Sequence, residues 1–313
     1  MKSSRKRRSI SDLVNHNEGD KTTTADCHEA ALMRDSRVMT PVDRTIVFLS
    51  DFGYRNEWVG ICHAVMNRIA PGSPIVDLSH GVPPLDVQNG ALLLVDSVPY
   101  LSADAVVLAV VDPSVGRDRD IAIEAADGRL LVGPDNGLLM AVSQALGGVT
   151  RAVEVTSLDV VLTPVSPSFH ARDVLAPAAG HLAAGAPIGA LGPEIEPAGL
   201  ASFALPEPAV EHGKIECEVL DLNRFGNVLL NVRPAQLAQS GLDAASAVQV
   251  DATSGSARAR HVSTYADLGA DEWGIIHDPR DWLLVIRGNP GNAAEGLGNV
   301  GPGDPIWLSA ARD

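Results

Sequence analysis

Residues 45–80, TIVFLSDFGYRNEWVGICHAVMNRIAPGSPIVDLSH, read as a strand, a helix and a strand. TIVFLS is a short β-branched run that ends in DFG, so Asp51 emerges at the carboxyl end of the first strand. WVGICHAVMNRIAP has helical spacing: Val59, Cys62, Val65, Met66 and Ile69 share one face, and Pro71 stops the helix. SPIVDLSH is a second strand, again with a polar ending, at Ser79 and His80. The alternation continues downstream. VQNGALLLVDSVPYL predicts a helix, AVVLAVVD a third strand, and IAIEAADGRLLVGPDNGLL a hairpin turning at Asp127-Gly128. After SFH, the Ala-rich ARDVLAPAAGHLAAGAP predicts one more helix. Strands alternating with helices require a mainly parallel central sheet covered on both faces. Such sheets bind ligands beyond the carboxyl ends of their strands. Asp51, His80 and Asp112 are expected to converge there.

The texture changes around residues 193–212, where prolines and glycines break any helix. Seven short β-like runs follow: IECEVLDL, NVLLNV, SAVQVDA, ARARHVS, WGIIHD, DWLLVI and IWLSA. Their spacing fits a small antiparallel barrel or sandwich. The expected organisation is therefore an α/β domain over residues 44–198, a linker at 199–205, and a smaller all-β, barrel-like domain over 206–313. Residues 1–43 are polar, lack apolar periodicity and carry the basic cluster Arg5–Lys6–Arg7–Arg8, which predicts a disordered tail with no secretory signal.

Composition narrows the function classes. Of 313 residues, 45% are hydrophobic and 20% charged, a globular mixture able to bury a core. No apolar run approaches the roughly 20 residues of a membrane span. A formal net charge of −15 argues against a nucleic-acid surface, because phosphate contacts need a basic face. Cys27, Cys62 and Cys217 are scattered and odd in number, a pattern of free thiols in a reducing compartment, with the cytoplasm the simplest location.

GxGxxG, GxxxxGK[ST] and GxSxG are all absent, which removes the commonest uses of an α/β sheet. The polar strand ends remain. Asp51 suits a ribose diol, since a carboxylate accepts from two hydroxyls at once, and it suits equally the N-cap of the helix that follows. In VVDPSVGRDR, residues 110–119, Asp112 precedes Arg119 by seven positions, and SFHARD supplies His170. Two readings fit these three residues: a structural Asp–Arg ion pair, or a group in which fixed charge and imidazole position a water. A metal cage of Asp51, His80, Asp112 and His170 lacks short-range ligand spacing, and no metal ligand is assigned.

FLSDFG, VGICHAVMNRIAPGSPIVDLSHGVPPLDVQNGA, VVDPSVGRDR, VGPDNGLL, SFHARDVLAPAAGHLAAG and RFGNVLLNV occur in that order. Together they resemble the S-adenosyl-L-methionine (SAM) hydroxide adenosyltransferases, or SAM hydrolases, relatives of the fluorinase and chlorinase. The resemblance runs from Thr45 to the C-terminus. It implies hydrolysis of SAM to adenosine and L-methionine without a cofactor. It also implies a homotrimer, each site lying between one subunit's α/β domain and the next subunit's barrel. Asp112, Arg119 and His170 match the family's water-positioning triad, and Asp51 its ribose-binding aspartate. Leu85 stands where the fluorinase has a tryptophan on the ribose, and Phe169 lines the pocket near the reacting carbon. Ala171 replaces the serine or glycine that helps the halogenases hold their halide, and Asn227 matches the asparagine that reads adenine. Two positions depart from the pattern: Asn223 replaces an aspartate, and Asp278 stands loosely where the methionine end is bound. The alternatives are a halogenase acting on chloride and a SAM- or adenosine-binding sensor without turnover.

Overall fold

The computed structural model describes residues 43–311, so the predicted tail and Cys27 lie outside the described residues. β1 (Ile46–Ser50) and β3 (Val106–Val110) are buried along their whole length, as strands covered on both faces must be. With β2 (Ile75–Ser79), β4 (Asp120–Ala125), β5 (Leu130–Pro134) and β6 (Val149–Glu154) they form a six-stranded sheet of order β2-β1-β3-β5-β4-β6. The β2–β1, β1–β3 and β3–β5 pairs are parallel; β4 runs antiparallel to β5 and β6. The expected hairpin is the β4–β5 pair, with Gly128 at φ 91° in the turn.

One face of the sheet is covered by α1 (Trp58–Ile69), whose Val59, Cys62, Val65 and Met66 are buried as the periodicity requires. The Ala-rich segment packs beside it. That segment is not one regular helix. Ala171–Leu175 is wound as a π-turn, and α-helical geometry follows only over Ala176–Ala183, named α4 below. The cause is Pro177, which has no N–H to give the carbonyl of Asp173 four residues earlier; that carbonyl accepts instead from Leu162 N at 2.8 Å. The opposite face is covered by α2 (Val87–Ser97) and α3 (Leu138–Ala145).

Residues 201–208 have no regular structure, and the chain then enters a second sheet. All seven expected runs are strands: β8 (Lys214–Leu222), β9 (Val228–Leu230), β10 (Val248–Ala252), β11 (Ser256–His261), β12 (Trp273–His277), β13 (Leu283–Arg287) and β14 (Pro305–Ala310). The short β7 (Ala209–Glu211) flanks β8. Pairing of β14 with both β10 and β8 closes the barrel. One pair departs from the expected antiparallel pattern: β11 and β12 run parallel, joined by the excursion through residues 262–272. Leu92 of α2 packs with Leu220, Leu229, Trp282, Leu284 and Ile286, so a small apolar cluster joins the barrel to the α/β domain.

Gly133 shows how closely β3 and β5 approach. A Cβ there would lie 2.3 Å from the carbonyl oxygen of Ala109. Gly133→Ala is expected to lower stability by about 1–3 kcal/mol, the usual cost of overpacking. An unchanged urea midpoint would contradict this.

Candidate active site

At the carboxyl ends of β1 and β3 the sheet opens into a cavity of about 510 Å³. Asp51, Leu85, Asp112, Phe169, His170 and Ala171 line it, all residues singled out in the sequence. Asp51 does not cap α1, which begins at Trp58 behind an N-terminal residue with no side-chain cap. Its Oδ2 accepts instead from Leu85 N at 2.8 Å. That bond holds Leu85 at φ 66°, a left-handed conformation that costs a leucine roughly 1–2 kcal/mol, and the residue is 58% exposed.

The Asp112 loop is built by its own turn chemistry. Asp112 Oδ1 accepts from Ser114 N at 2.9 Å. Gly116, at φ 79°, passes so near the 167–170 segment that a Cβ would stand 2.7 Å from Pro167 O. Close approach of these two loops brings Asp112 and His170 to one cavity. Burial pushes the Asp112 carboxyl above its ordinary value, the negative charges of Asp118 and Asp51 add to this, and Ser114 N–H and His170 oppose it.

His170 is held by a residue the sequence reading missed. Its Nδ1 lies 2.6 Å from Oδ2 of the buried Asp120, which leaves Nε2 for a bound molecule. Burial pushes the Asp120 carboxyl up to about 6, against the opposing pull of His170. Arg119 does not line the cavity. Its guanidinium reaches Asp135 Oδ2 at 2.5 Å and the Gly199 carbonyl at 2.8 Å. Consecutive residues of an extended chain point to opposite sides, so of the RD pair at 119–120 only one can face His170. The Asp–Arg ion pair expected from the sequence therefore joins Arg119 to Asp135, not to Asp112.

Three aromatic rings form one wall. Phe52, Trp58 and Phe169 meet edge-on, with centroids 5.8–6.3 Å apart. Only Phe169 of these was anticipated.

A second cavity, of about 670 Å³, belongs to the barrel and is lined by Asn223, Phe225, Asn227, Tyr265 and Arg287 among others. Asn223 Oδ1 accepts from Phe225 N and Asn227 N, so it shapes the RFGN turn that presents Asn227. Phe225 and Tyr265 are 71% and 57% exposed, large apolar surface to leave in water. Asp278 lines neither cavity. Its oxygens accept from Arg280 N, Arg280 Nε and Trp282 N, and Arg280 in turn reaches Asp96 of α2 at 2.8 Å. This is a clamp between barrel and α/β domain.

The comparisons with known proteins agree with this architecture. Residues 46–192 match the model of the SAM hydroxide adenosyltransferase N-terminal domain, and residues 217–307 that of its C-terminal domain. The chain is 42% identical over 269 residues to a Salinispora tropica protein named (R)-S-adenosyl-L-methionine hydrolase, covering 85% of this chain and 97% of that one. A protein of the same name from Thermus thermophilus is 42% identical over 200 residues, covering 59% of this chain and 73% of the relative. A fluorinase from an Actinoplanes species is more distant, at 29% over 222 residues, 63% of this chain and 74% of the relative. Among solved structures, an uncharacterized conserved protein from Thermotoga maritima superposes with a TM-score of 0.77 at 29% identity, over 85% of this chain and all of that one. Matched in both domains and at this identity, the chain belongs to the SAM hydroxide adenosyltransferase family.

Proposed function

We propose that this protein hydrolyses SAM to adenosine and L-methionine by in-line attack of water on ribose C5′. The observation that carries the reading is the convergence of Asp112 and an Asp120-oriented His170 on one cavity that also presents Asp51 and an aromatic wall. Two carboxylates beside an aromatic wall suit a cationic sulfonium and oppose a halide. Ala171 offers a halide no hydroxyl.

In this mechanism Asp51 takes the ribose diol, and Leu85 and Phe169 pack against the sugar and the reacting carbon. The water oxygen bonds to C5′ as the C5′–S bond breaks, and the electron pair stays on sulfur. Methionine leaves as a neutral thioether, so no acid is needed and no cofactor enters. Holding the water in line is worth several kcal/mol of the barrier. Its proton passes to Asp112, which burial makes a better acceptor than a free carboxylate, or to His170 Nε2. Arg119 is a positioning residue whose pair with Asp135 anchors the far end of the Asp112 loop.

The adenine end is supplied by another copy. Asn223 and Asn227 line the barrel's own cavity, separate from the one holding Asp112 and His170. A head-to-tail ring, read as a homotrimer, brings the two half-sites together and covers Phe225 and Tyr265. Asp278 is left out of the substrate contacts because its oxygens are already taken. Buried free Cys62 and Cys217 fit a reducing, cytoplasmic setting, and no helix among the described residues is long and apolar enough to cross a membrane.

Asp112→Ala and His170→Ala are each expected to lower turnover about 10²–10⁴-fold while SAM binding by calorimetry is retained. A wild-type rate in either variant would overturn the assignment. Refolding Asp112→Ala together with Asn227→Ala in equal amounts should restore about a quarter of wild-type activity, because in a heterologous ring one site in four joins two intact halves. No restoration would place the whole site within one chain.

The pH profile tests Asp120. An acid whose folded value is raised favours the protonated form, so as pH falls through about 6 the carboxylate that holds His170 Nδ1–H is lost. Turnover should decline on that acidic limb. Asp120→Asn removes a charge-assisted hydrogen bond of about 1.5–3 kcal/mol, roughly a 10–100-fold loss, and should flatten the limb. An unchanged profile in the variant would separate Asp120 from the reaction. For stability the sign is opposite: Asp120 favours the folded state below its unfolded value, and that contribution fades as pH rises towards about 6.

A further inference from the structure

His80 takes no part in the mechanism above. Only 1% exposed, it sits between the rings of Phe48 and Tyr54, at centroid distances of 4.6 and 5.2 Å. Its Nδ1 lies 2.7 Å from Ser50 Oγ, an oxygen that also accepts from Phe52 N. Its buried Nε2 has no hydrogen-bond partner. That nitrogen is 3.1 Å from Asp77 Oδ1, close yet without the alignment of a hydrogen bond. From α1, His63 Nε2 approaches the same carboxylate oxygen at 2.7 Å.

Two imidazole nitrogens and one carboxylate oxygen thus lie within 4.8 Å of one another, and no other such cluster of three or more occurs among the described residues. A proton network fills this arrangement only in part: Asp77 Oδ1 has lone pairs for both rings, but the buried His80 Nε2 is not aligned to donate to it. A cation fills it well. Two imidazoles and a carboxylate are a borderline-soft donor set, suited to zinc-like ions and not to calcium or magnesium, which prefer oxygen throughout. The Ser50 hydroxyl supplies the outer support such sites use: accepting from Nδ1–H fixes the ring and leaves the Nε2 lone pair for the metal. An entry path exists, since β2 is the edge strand and the side chains of His63 and Asp77 are 28% and 27% exposed.

We propose that His63, Asp77 and His80 bind one divalent transition ion of the zinc class, outside the reaction cavity, with water in the fourth position. The ion would clamp the end of β2 to α1. Through Ser50 and the Gly53 N–H bond to the His80 carbonyl, 2.7 Å, it would also steady the chain that carries Asp51. The site is independent of the reaction assigned to the neighbouring cavity.

The test uses the full chain, stripped with a chelator and titrated with Co²⁺. One ion per chain is expected, with visible d–d bands of four-coordinate intensity, displaced by Zn²⁺ and unaffected by Mg²⁺. His63→Ala and Asp77→Asn, both at accessible positions, should lose the bands and the Zn²⁺-induced rise in melting temperature while keeping the wild-type melting temperature without metal. Absence of bands above those of free Co²⁺, or bands that persist in His63→Ala, would overturn the proposal.

Discussion

The structure depends on the burial of β1 and β3 on both faces. A strand with helices above and below has no polar face, so its polar residues come only past its carboxyl end. Asp51, directly after β1, and Asp112, two residues after β3, thus reach one cavity at the sheet's carboxyl edge, where the helices no longer cover it. Asp112 is there partly out of water, and the cost falls on its charged form. The raised Asp112 carboxyl follows chiefly from that burial, with the charges of Asp118 and Asp51 adding to it.

Around this edge, each site residue is held by a local device. A leucine in the left-handed region is fixed by a carboxylate, a glycine lets two loops touch, and a proline diverts a helix into a π-turn next to His170. The tightest of these is the Asp120–His170 pair, which fixes the imidazole before any ligand arrives. In the proposed reaction, such preorganisation lets a water be aimed without reordering the site.

Much of this was legible in the sequence. The β-α-β unit, the 127–128 hairpin turn and all seven barrel strands follow from periodicity and turn residues. Asp51 and Asp112 lie where the strand ends place them, Phe169 and His170 reach the same cavity from the loop before the π-turn and Ala171 from its first residue, and His80, expected there too, does not line it. The rest depended on information that spacing does not carry. Arg119 and Asp120 are adjacent, and only the register of β4 decides which faces His170. Trp58 and Phe52 read as ordinary helix and loop residues, and they become a wall only when Phe169 arrives from far along the chain. Asp278 looked free to bind a ligand because its partners lie within its own turn, and that turn's tie to Asp96 is long-range. The parallel β11–β12 pair depends on a crossover that no local signal marks.

The central claim is that solvent oxygen attacks C5′. Turnover of SAM in oxygen-18-labelled water, followed by mass spectrometry of the nucleoside, addresses it directly. The account predicts adenosine carrying the heavy atom at its 5′-hydroxyl, unaffected by chelator or chloride. Unlabelled adenosine, or 5′-chloro-5′-deoxyadenosine in its place, would contradict it.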